Sequence, residues 1–352
     1  MISTLLRSIR GTLLLRAFAI ASAFLMISTL YSHRPLQYRS EFFGHISSKK
    51  SAGPLPCINT TGVEDVLIVM KTGSTELKDK LPIHFDTTFR CYPRVVIFSD
   101  FAESYRDHEI IDALDEVSDE YKQNHPDFEL YRHLQANGRS SLSPFELSGP
   151  ESKDADAGGK TDNPGWRLDK WKFLPMVNKT IHMEAQAKWY VFVETDTYLV
   201  WSNVLEWISL LDFSKPHYVG APVKIGDDIF AHGGSGFIVS NPAMRMTADL
   251  YNSNKMMWES FTARHWAGDC VLGKAFHEAG APLTWAWPLI QGDRPTTLDY
   301  TGLDFSRRIW CHPAVTYHHM SPTGVKDMWH FEQEWTKGVC TAEQLNNTLR
   351  LY

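Results

Sequence analysis

This chain is poor in cysteine and has no excess of positive charge. Its five cysteines are Cys57, Cys91, Cys270, Cys311 and Cys340, and no two stand in a C-x-x-C pair. That spacing gives no support to a zinc site of the usual Cys type. The formal net charge is −6, so there is no basic field to hold nucleic acid, and none is expected as a partner. A P-loop is also missing. Lys71-Thr72-Gly73-Ser74-Thr75 has suitable residue types after a strand, but the glycines and the Lys-Ser/Thr pair are not at the required spacing.

What is present is ordinary globular composition, with 43% hydrophobic and 22% charged residues, enough for one large domain or two small ones. The twelve tryptophans are a high number. Core packing is their commoner use, although an exposed Trp also stacks on flat sugar faces.

The N-terminus carries Arg7, Arg10 and Arg16 around an apolar stretch, Leu13 to Tyr31. A cleaved signal peptide ending near Ala21-Ser22-Ala23 and a signal anchor both fit. Phe24-Leu25-Met26 continues the apolar run past the cleavage triplet, which favours the anchor. The expected layout is a cytosolic tail (1–12), a transmembrane helix (13–31), a polar stem with Pro35, Pro54 and Pro56 (32–61) and a lumenal domain (62–352). Sequons at Asn59, Asn178 and Asn346 agree with a lumenal location. In that oxidising compartment four cysteines could form two bridges and leave one thiol; the connectivity is not deducible from sequence, and Cys57–Cys91 is the preferred pair.

The lumenal part reads as alternating strands and helices, the opening of a doubly wound α/β sheet. Val63 to Met70 is a buried strand ending at the small polar turn after Lys71, a place for phosphate or nucleotide. Lys80 to Arg90 reads as a helix, and Arg94 to Phe98 as a second strand ending at Ser99-Asp100. Residues 138 to 165, rich in Gly, Ser, Asp and Pro, read as a mobile insertion loop. Trp166 to Val177 reads as a helix. Trp189 to Val193 is an apolar strand that stops at Glu194-Thr195-Asp196. Acids at such a strand end suit a hard divalent cation carrying a diphosphate, or are simply solvated, with Asp196 capping the next helix. A helix at Val204 to Leu211 and a short strand at His217 to Ala221 follow.

Three later segments add chemistry. His232-Gly233-Gly234-Ser235-Gly236 precedes an apolar strand, so the backbone there bends sharply or approaches something closely. Asp269, in Gly268-Asp269-Cys270, opens a helix. It is either an N-cap or a carboxylate placed to take a proton from a hydroxyl. Ala314 to His319 reads as a short strand ending in two histidines; a lone His is usually structural, but one at a strand end, in a chain with a paired-acid turn, could complete a metal site.

The order of these motifs resembles glycosyltransferase family 31, which includes core 1 β-1,3-galactosyltransferases and Fringe-type transferases. The resemblance covers about residues 62 to 330. It implies an A-type glycosyltransferase fold (GT-A, Rossmann-like) in one catalytic domain behind the anchor. Asp196 matches the last acid of the family's aspartate-rich motif and would bind Mn²⁺. His318 matches the metal-binding histidine, with His319 the nearby alternative. Asp269 matches the catalytic base. Lys71, Thr72, Ser99, Asp100, Glu194, Thr195, Gly233 and Gly234 would line the nucleotide-sugar site. The departures are Glu194 and Thr195 in place of the first two acids, and Gly268 where many relatives carry an acid.

The implied activity is inverting transfer of a hexose, galactose in β-1,3 linkage first, from a UDP-sugar to a glycan or glycoprotein hydroxyl. N-acetylglucosamine or glucose is the alternative sugar. The setting would be the Golgi membrane, with a homodimer left open. The competing readings are a catalytically silent relative that binds glycans or assists another transferase, and a secreted metal-dependent hydrolase.

Overall fold

The computed structural model describes residues 62–148, 163–302 and 307–336, all within the unit Leu55–Tyr352. The N-terminal segment 13–31, the stem, Asn59, Asn346 and residues 149–162 of the insertion lie outside the described residues. Among the described residues, no helix is long and apolar enough to cross a membrane.

The strands are β1 (Val66–Lys71), β2 (Val95–Ser99), β3 (Glu103–Tyr105), β4 (His108–Asp112), β5 (Trp189–Glu194), β6 (Tyr198–Leu199), β7 (Tyr218–Gly220), β8 (Pro222–Ile225), β9 (Asp228–Ala231), β10 (Phe237–Ser240), β11 (Leu283–Trp285) and β12 (Thr316–Tyr317). Eight of them form one sheet in the order β11-β7-β10-β5-β1-β2-β4-β3. Neighbours run parallel except at β10 and β3. The mixed, largely parallel sheet fits an A-type glycosyltransferase fold.

The sequence explains why this sheet is buried on both sides. Val66, Ile68 and Met70 of β1 face one apolar layer, and Leu67 and Val69 face the other. Alternate residues of a strand point to opposite faces, so a continuous apolar run needs cover on both. The first face is covered by helix α6 (Trp201–Ser209) through Trp201, Val204, Leu205 and Ile208. The second is covered by α5 (Pro164–Met183), α7 (Asn241–Ser253) and α9 (Gly268–Glu278). Each fully buried Leu, Val or Phe contributes about 1.5–3 kcal/mol, and that sum outweighs the burial of the charged Lys71 at the end of β1.

The remaining helices are α1 (Leu77–Lys80), α2 (Pro82–Asp86), α3 (Asp119–Asn124), α4 (Glu129–Asn137), α8 (Lys255–Arg264) and α10 (Pro322–Thr336). The helix expected over 80–90 is two short pieces followed by a 3-10 turn at Thr88–Arg90. Pro82 has no N–H to continue the first piece and instead starts the second. Helix α5 is longer than expected. The Asn163 side chain accepts a bond from the Gly165 N–H at its start, and Pro164 sits in its first turn.

Two sequence expectations are corrected here. Cys91 is disulfide-bonded, but Cys270 and Cys311 are free. Only three cysteines then remain, so two bridges cannot form, and the preferred partner Cys57 lies outside the described residues. Asn178 is buried in α5, donating to Glu116 at 3.0 Å and accepting from Asn252 at 2.7 Å. Its side chain is committed to packing, so this sequon does not count toward a lumenal location.

Candidate active site

The reversed strand β10 builds the site. It runs antiparallel to β5, pairing Phe237 with Phe192. The residues just before Phe237 therefore lie beside those just after β5. This places Gly233 to Gly236 against the Glu194-Thr195-Asp196 edge. Gly236 has φ +79, a left-handed conformation that suits glycine, and a side chain there would press on the Phe192 carbonyl at 3.1 Å.

A small two-stranded ladder brings in the histidines. β12 pairs antiparallel with β6, Tyr317 opposite Tyr198. The Met320 N–H then donates to the Asp196 carbonyl at 2.9 Å. His318 Nε2 stands 3.4 Å from Asp196 Oδ1, and both side chains are buried. His319 is half-buried, with a left-handed φ of 57, and its ring lies 3.9 Å from that of His318. Ligand atoms of Asp196, His318 and His319 all fall within 4.8 Å of one another. A carboxylate with imidazoles could hold a divalent metal ion. The buried Nδ1 of His318 has no hydrogen-bond partner among the described residues, so it is open to a further group.

Asp269 sits at the first turn of α9. Its carboxylate accepts from the Gly233 N–H at 2.9 Å and from the Cys270 N–H at 2.9 Å. Burial raises its pKa, and these two bonds only partly offset that. The N-cap of α9 is Ala267, so capping is not its role.

The other expected site residues separate into two layers. Lys71 ends β1 and is ion-paired with Glu194 at 2.9 Å and, closer still, with Asp169. Burial works against its charge, but the two carboxylates outweigh it and raise its pKa. Glu194, partly exposed beside it, has its pKa raised by burial. Thr195 is buried, and its carbonyl is held by His84 Nε2 at 2.8 Å. Thr72 is buried as well, and its carbonyl accepts from Lys172 at 2.9 Å. Ser99 and Asp100 are fully buried, and Asp100 accepts from the Ser74 N–H at 2.8 Å. Their side chains brace the turn after β1 from beneath.

Reading the sequence alone missed three groups. Lys80, in α1, reaches Asp196 at 3.2 Å and Glu76 at 2.9 Å. Lys172 is buried among Asp100, Asp169 and the Thr72 carbonyl. Asp169 links Lys71 to Lys172, and although burial disfavours its charge, these lysines hold its pKa down. The signal for the last two was Asp169-x-x-Lys172, an i,i+3 pair of opposite charges in the helix before the acid-bearing strand.

Residues 171–289 match the Fringe-like family. It is a family of family 31 glycosyltransferases, so the match suggests a glycosyltransferase. The Fringe-like stretch contains β5 with Asp196, the Gly233–Gly236 turn and Asp269. Lys71, Asp100 and His318 lie outside it and join the site through the fold.

Helix packing accounts for Gly268. A Cβ there would lie 2.4 Å from Lys170 Cα and 2.6 Å from the Phe173 ring. Helices α5 and α9 approach so closely that an acid at this position has no room.

Proposed function

We propose that this protein is an inverting, divalent-metal-dependent transferase that moves a hexose, galactose in β-1,3 linkage first, from a UDP-sugar to a glycan or glycoprotein hydroxyl. The observation that carries the reading is the adjacency of Gly233 and Gly234. One donates its N–H to Asp269, and the other gives space to the His318 ring. The putting together of a base and a metal-ligand pair across two consecutive residues fits a donor and an acceptor meeting there.

Asp196 and His318, with His319 within reach, would hold Mn²⁺. When bound, that ion supplies Lewis-acid neutralisation of the diphosphate. Lys80 offsets part of the charge of Asp196, and Lys71 does the same for Glu194, which would ease the approach of a diphosphate to these acids. Asp269 takes the proton of the acceptor hydroxyl as its oxygen attacks the anomeric carbon. A carboxylate whose pKa is raised by burial is a better base for that step. Direct displacement converts an α-linked donor into a β-linked product. Thr72, Ser99 and Asp100 keep the turn after β1 in shape for the nucleotide. The proposed setting is a single-pass Golgi membrane protein with the catalytic part lumenal, resting on the apolar stretch 13–31 of the sequence.

The test is titration of the chain with UDP, with and without Mn²⁺, followed by a panel of UDP-sugars with Asp269→Asn as control. Mn²⁺-dependent UDP binding and transfer abolished by Asp269→Asn support the reading. Folded protein that binds no UDP under either condition supports the silent glycan-binding relative.

A further inference from the structure

Helix α10 buries a carboxylate on an otherwise apolar face, and nothing in the chemistry above uses it. Val325, Trp329 and Glu332 share that face at i, i+4 and i+7, and all three are buried. Val325 and Trp329 pack with Tyr198 and Met320. Glu332 accepts from the Tyr198 hydroxyl at 2.7 Å, from the Ser202 N–H at 3.3 Å and from the Ser202 hydroxyl at 3.4 Å. A buried carboxylate is costly unless it is hydrogen-bonded, so these bonds hold Glu332 and its partners in one arrangement.

Both partners belong to the framework of the candidate metal pair. Tyr198 is in β6, two residues after Asp196. Opposite it in the ladder is Tyr317, the residue before His318. Around this pair the Val200 N–H donates to the Val315 carbonyl at 2.9 Å, and the Met320 N–H to the Asp196 carbonyl at 2.9 Å. Ser202 is in the first turn of α6, whose N-cap residue, Val200, makes no side-chain cap bond. Glu332 takes that place from a different helix. The ladder also holds the glycine turn. Thr197 donates to the Gly234 carbonyl at 2.6 Å, and Thr316 to the Ser235 carbonyl at 2.7 Å.

A short two-stranded ladder is marginal in water by itself, so its register needs support from outside. A slip of one residue would turn every side chain of the strand to the other face. We infer that Glu332 is a positioning residue for the Asp196–His318 pair, acting through Tyr198. By fixing Tyr198 and the start of α6 together, it holds β6 in one register against β12. Asp196 then meets His318 at one distance. The inference rests on the reading of Asp196 and His318 as metal ligands. It goes beyond that reading by placing control of the pair in α10, outside the Fringe-like stretch.

Two measurements on the full chain test it. Native-state amide exchange, run without metal, reads the ladder directly. Tyr198→Phe removes one oxygen, and Glu332→Met removes the carboxylate at similar volume. In both, the Val200 and Met320 amides exchange about tenfold faster, the scale of one lost buried hydrogen bond. The Ile68 amide, bonded to the Arg94 carbonyl in the main sheet, accelerates less. Glu332→Gln restores most of the protection, because the Tyr198 hydroxyl can accept from an amide as well as donate to one. Equal acceleration at Ile68 and Met320 would mean that Glu332 serves global stability alone, and that result, or no acceleration at all, overturns the inference. The second measurement is titration with Mn²⁺ alone, followed by its electron spin resonance signal. Tyr198→Phe and Glu332→Met bind the ion about tenfold more weakly, and Glu332→Gln binds it nearly as the wild type does. Wild-type affinity in Tyr198→Phe overturns the inference. A wild-type chain that binds no Mn²⁺, yet shows the selective exchange in its variants, sinks the metal reading and leaves the positioning role of Glu332 standing.

Discussion

The ring of His318 fills the space that a side chain on Gly234 would need. A Cβ at Gly234 would lie 2.3 Å from both Cε1 and Nε2 of that ring. No rotamer of alanine relieves such an overlap, so Gly234→Ala forces His318 away from Asp196. The expected result is loss of Mn²⁺-dependent UDP binding, at least tenfold by titration calorimetry, with a stability cost of about 1–3 kcal/mol for overpacking. Unchanged Mn²⁺ dependence would remove His318 from the metal site.

Asp269 makes a second, separable prediction. Asn at this position keeps an oxygen to accept the Gly233 N–H, so the fold and UDP affinity persist. Transfer falls by about 10²–10⁴, the usual worth of a general base. In the wild type, burial raises the Asp269 pKa, so the acid limb of kcat/KM lies above the ordinary carboxylate range. A near-normal rate in Asp269→Asn would place the base elsewhere.

Much of this site was legible in the sequence, because a strand ending in acids and a glycine cluster before a strand are local patterns. Trp189 to Glu194 and Phe237 to Ser240 are strands as their composition indicates. What brings them together is not local. The antiparallel insertion of β10 between β7 and β5 is a topological choice that no window of residues encodes. Lys80 was missed for a related reason, since Asp196 is distant in sequence, and the i,i+3 spacing of Asp169 and Lys172 gave no hint that Lys172 also reaches Asp100. Asn178 and Gly268 show the converse. Their motifs read as a glycan acceptor and a departure from family pattern, yet helix packing decides both.

The buried chain of charges under the site is expected to dominate its stability. Lys172 is 1% exposed and contacts Asp100 at 3.3 Å, Asp169 at 3.3 Å and the Thr72 carbonyl at 2.9 Å. Lys172→Met removes the positive charge that Asp100 contacts among the described residues. Breaking one side of a buried pair costs about 3–5 kcal/mol, more than the methionine regains by packing. Urea denaturation measures it, and a change below about 0.5 kcal/mol, the scale of an ordinary surface substitution, would show that the lysine is not charged or not paired.

His84 gives the protein a pH dependence of known sign. Burial pulls its pKa from 6.5 down to about 4, with Nε2 bonded to the Thr195 carbonyl and Nδ1 to Thr88. The folded value lies below the unfolded one, so the unfolded chain takes up the proton first as pH falls. Stability from the neutral ring is therefore complete above pH 6.5 and erodes between about 6.5 and 4. The loss is about 1.4 kcal/mol per pH unit. His232, pulled down to about 3 by burial, acts with the same sign. Urea melts at pH 7 and pH 5 check this. His84→Asn is expected to be less stable at pH 7 but to lose less between the two. An equal loss in both proteins would mean that His84 is not held neutral.

Gly268 yields a prediction that runs against sequence intuition. Restoring the acid that many family 31 relatives carry before the base, as Gly268→Asp, looks like a repair of the site. The packing argues otherwise. The new Cβ would lie 2.4 Å from Lys170 Cα and 2.7 Å from its carbonyl oxygen, so it meets backbone, which cannot swing aside as a flexible side chain can. Helix α9 must move off α5, carrying Asp269 away from the Gly233 N–H. The variant is expected to lose about 1–3 kcal/mol of stability and to transfer more slowly. Gly226→Asp, at a surface turn with nothing within 4 Å of the new Cβ but a φ of +60, controls for the cost of adding a side chain to a glycine. If Gly268→Asp is as stable and as active as the wild type, α5 and α9 do not touch at that point, and packing does not explain the glycine.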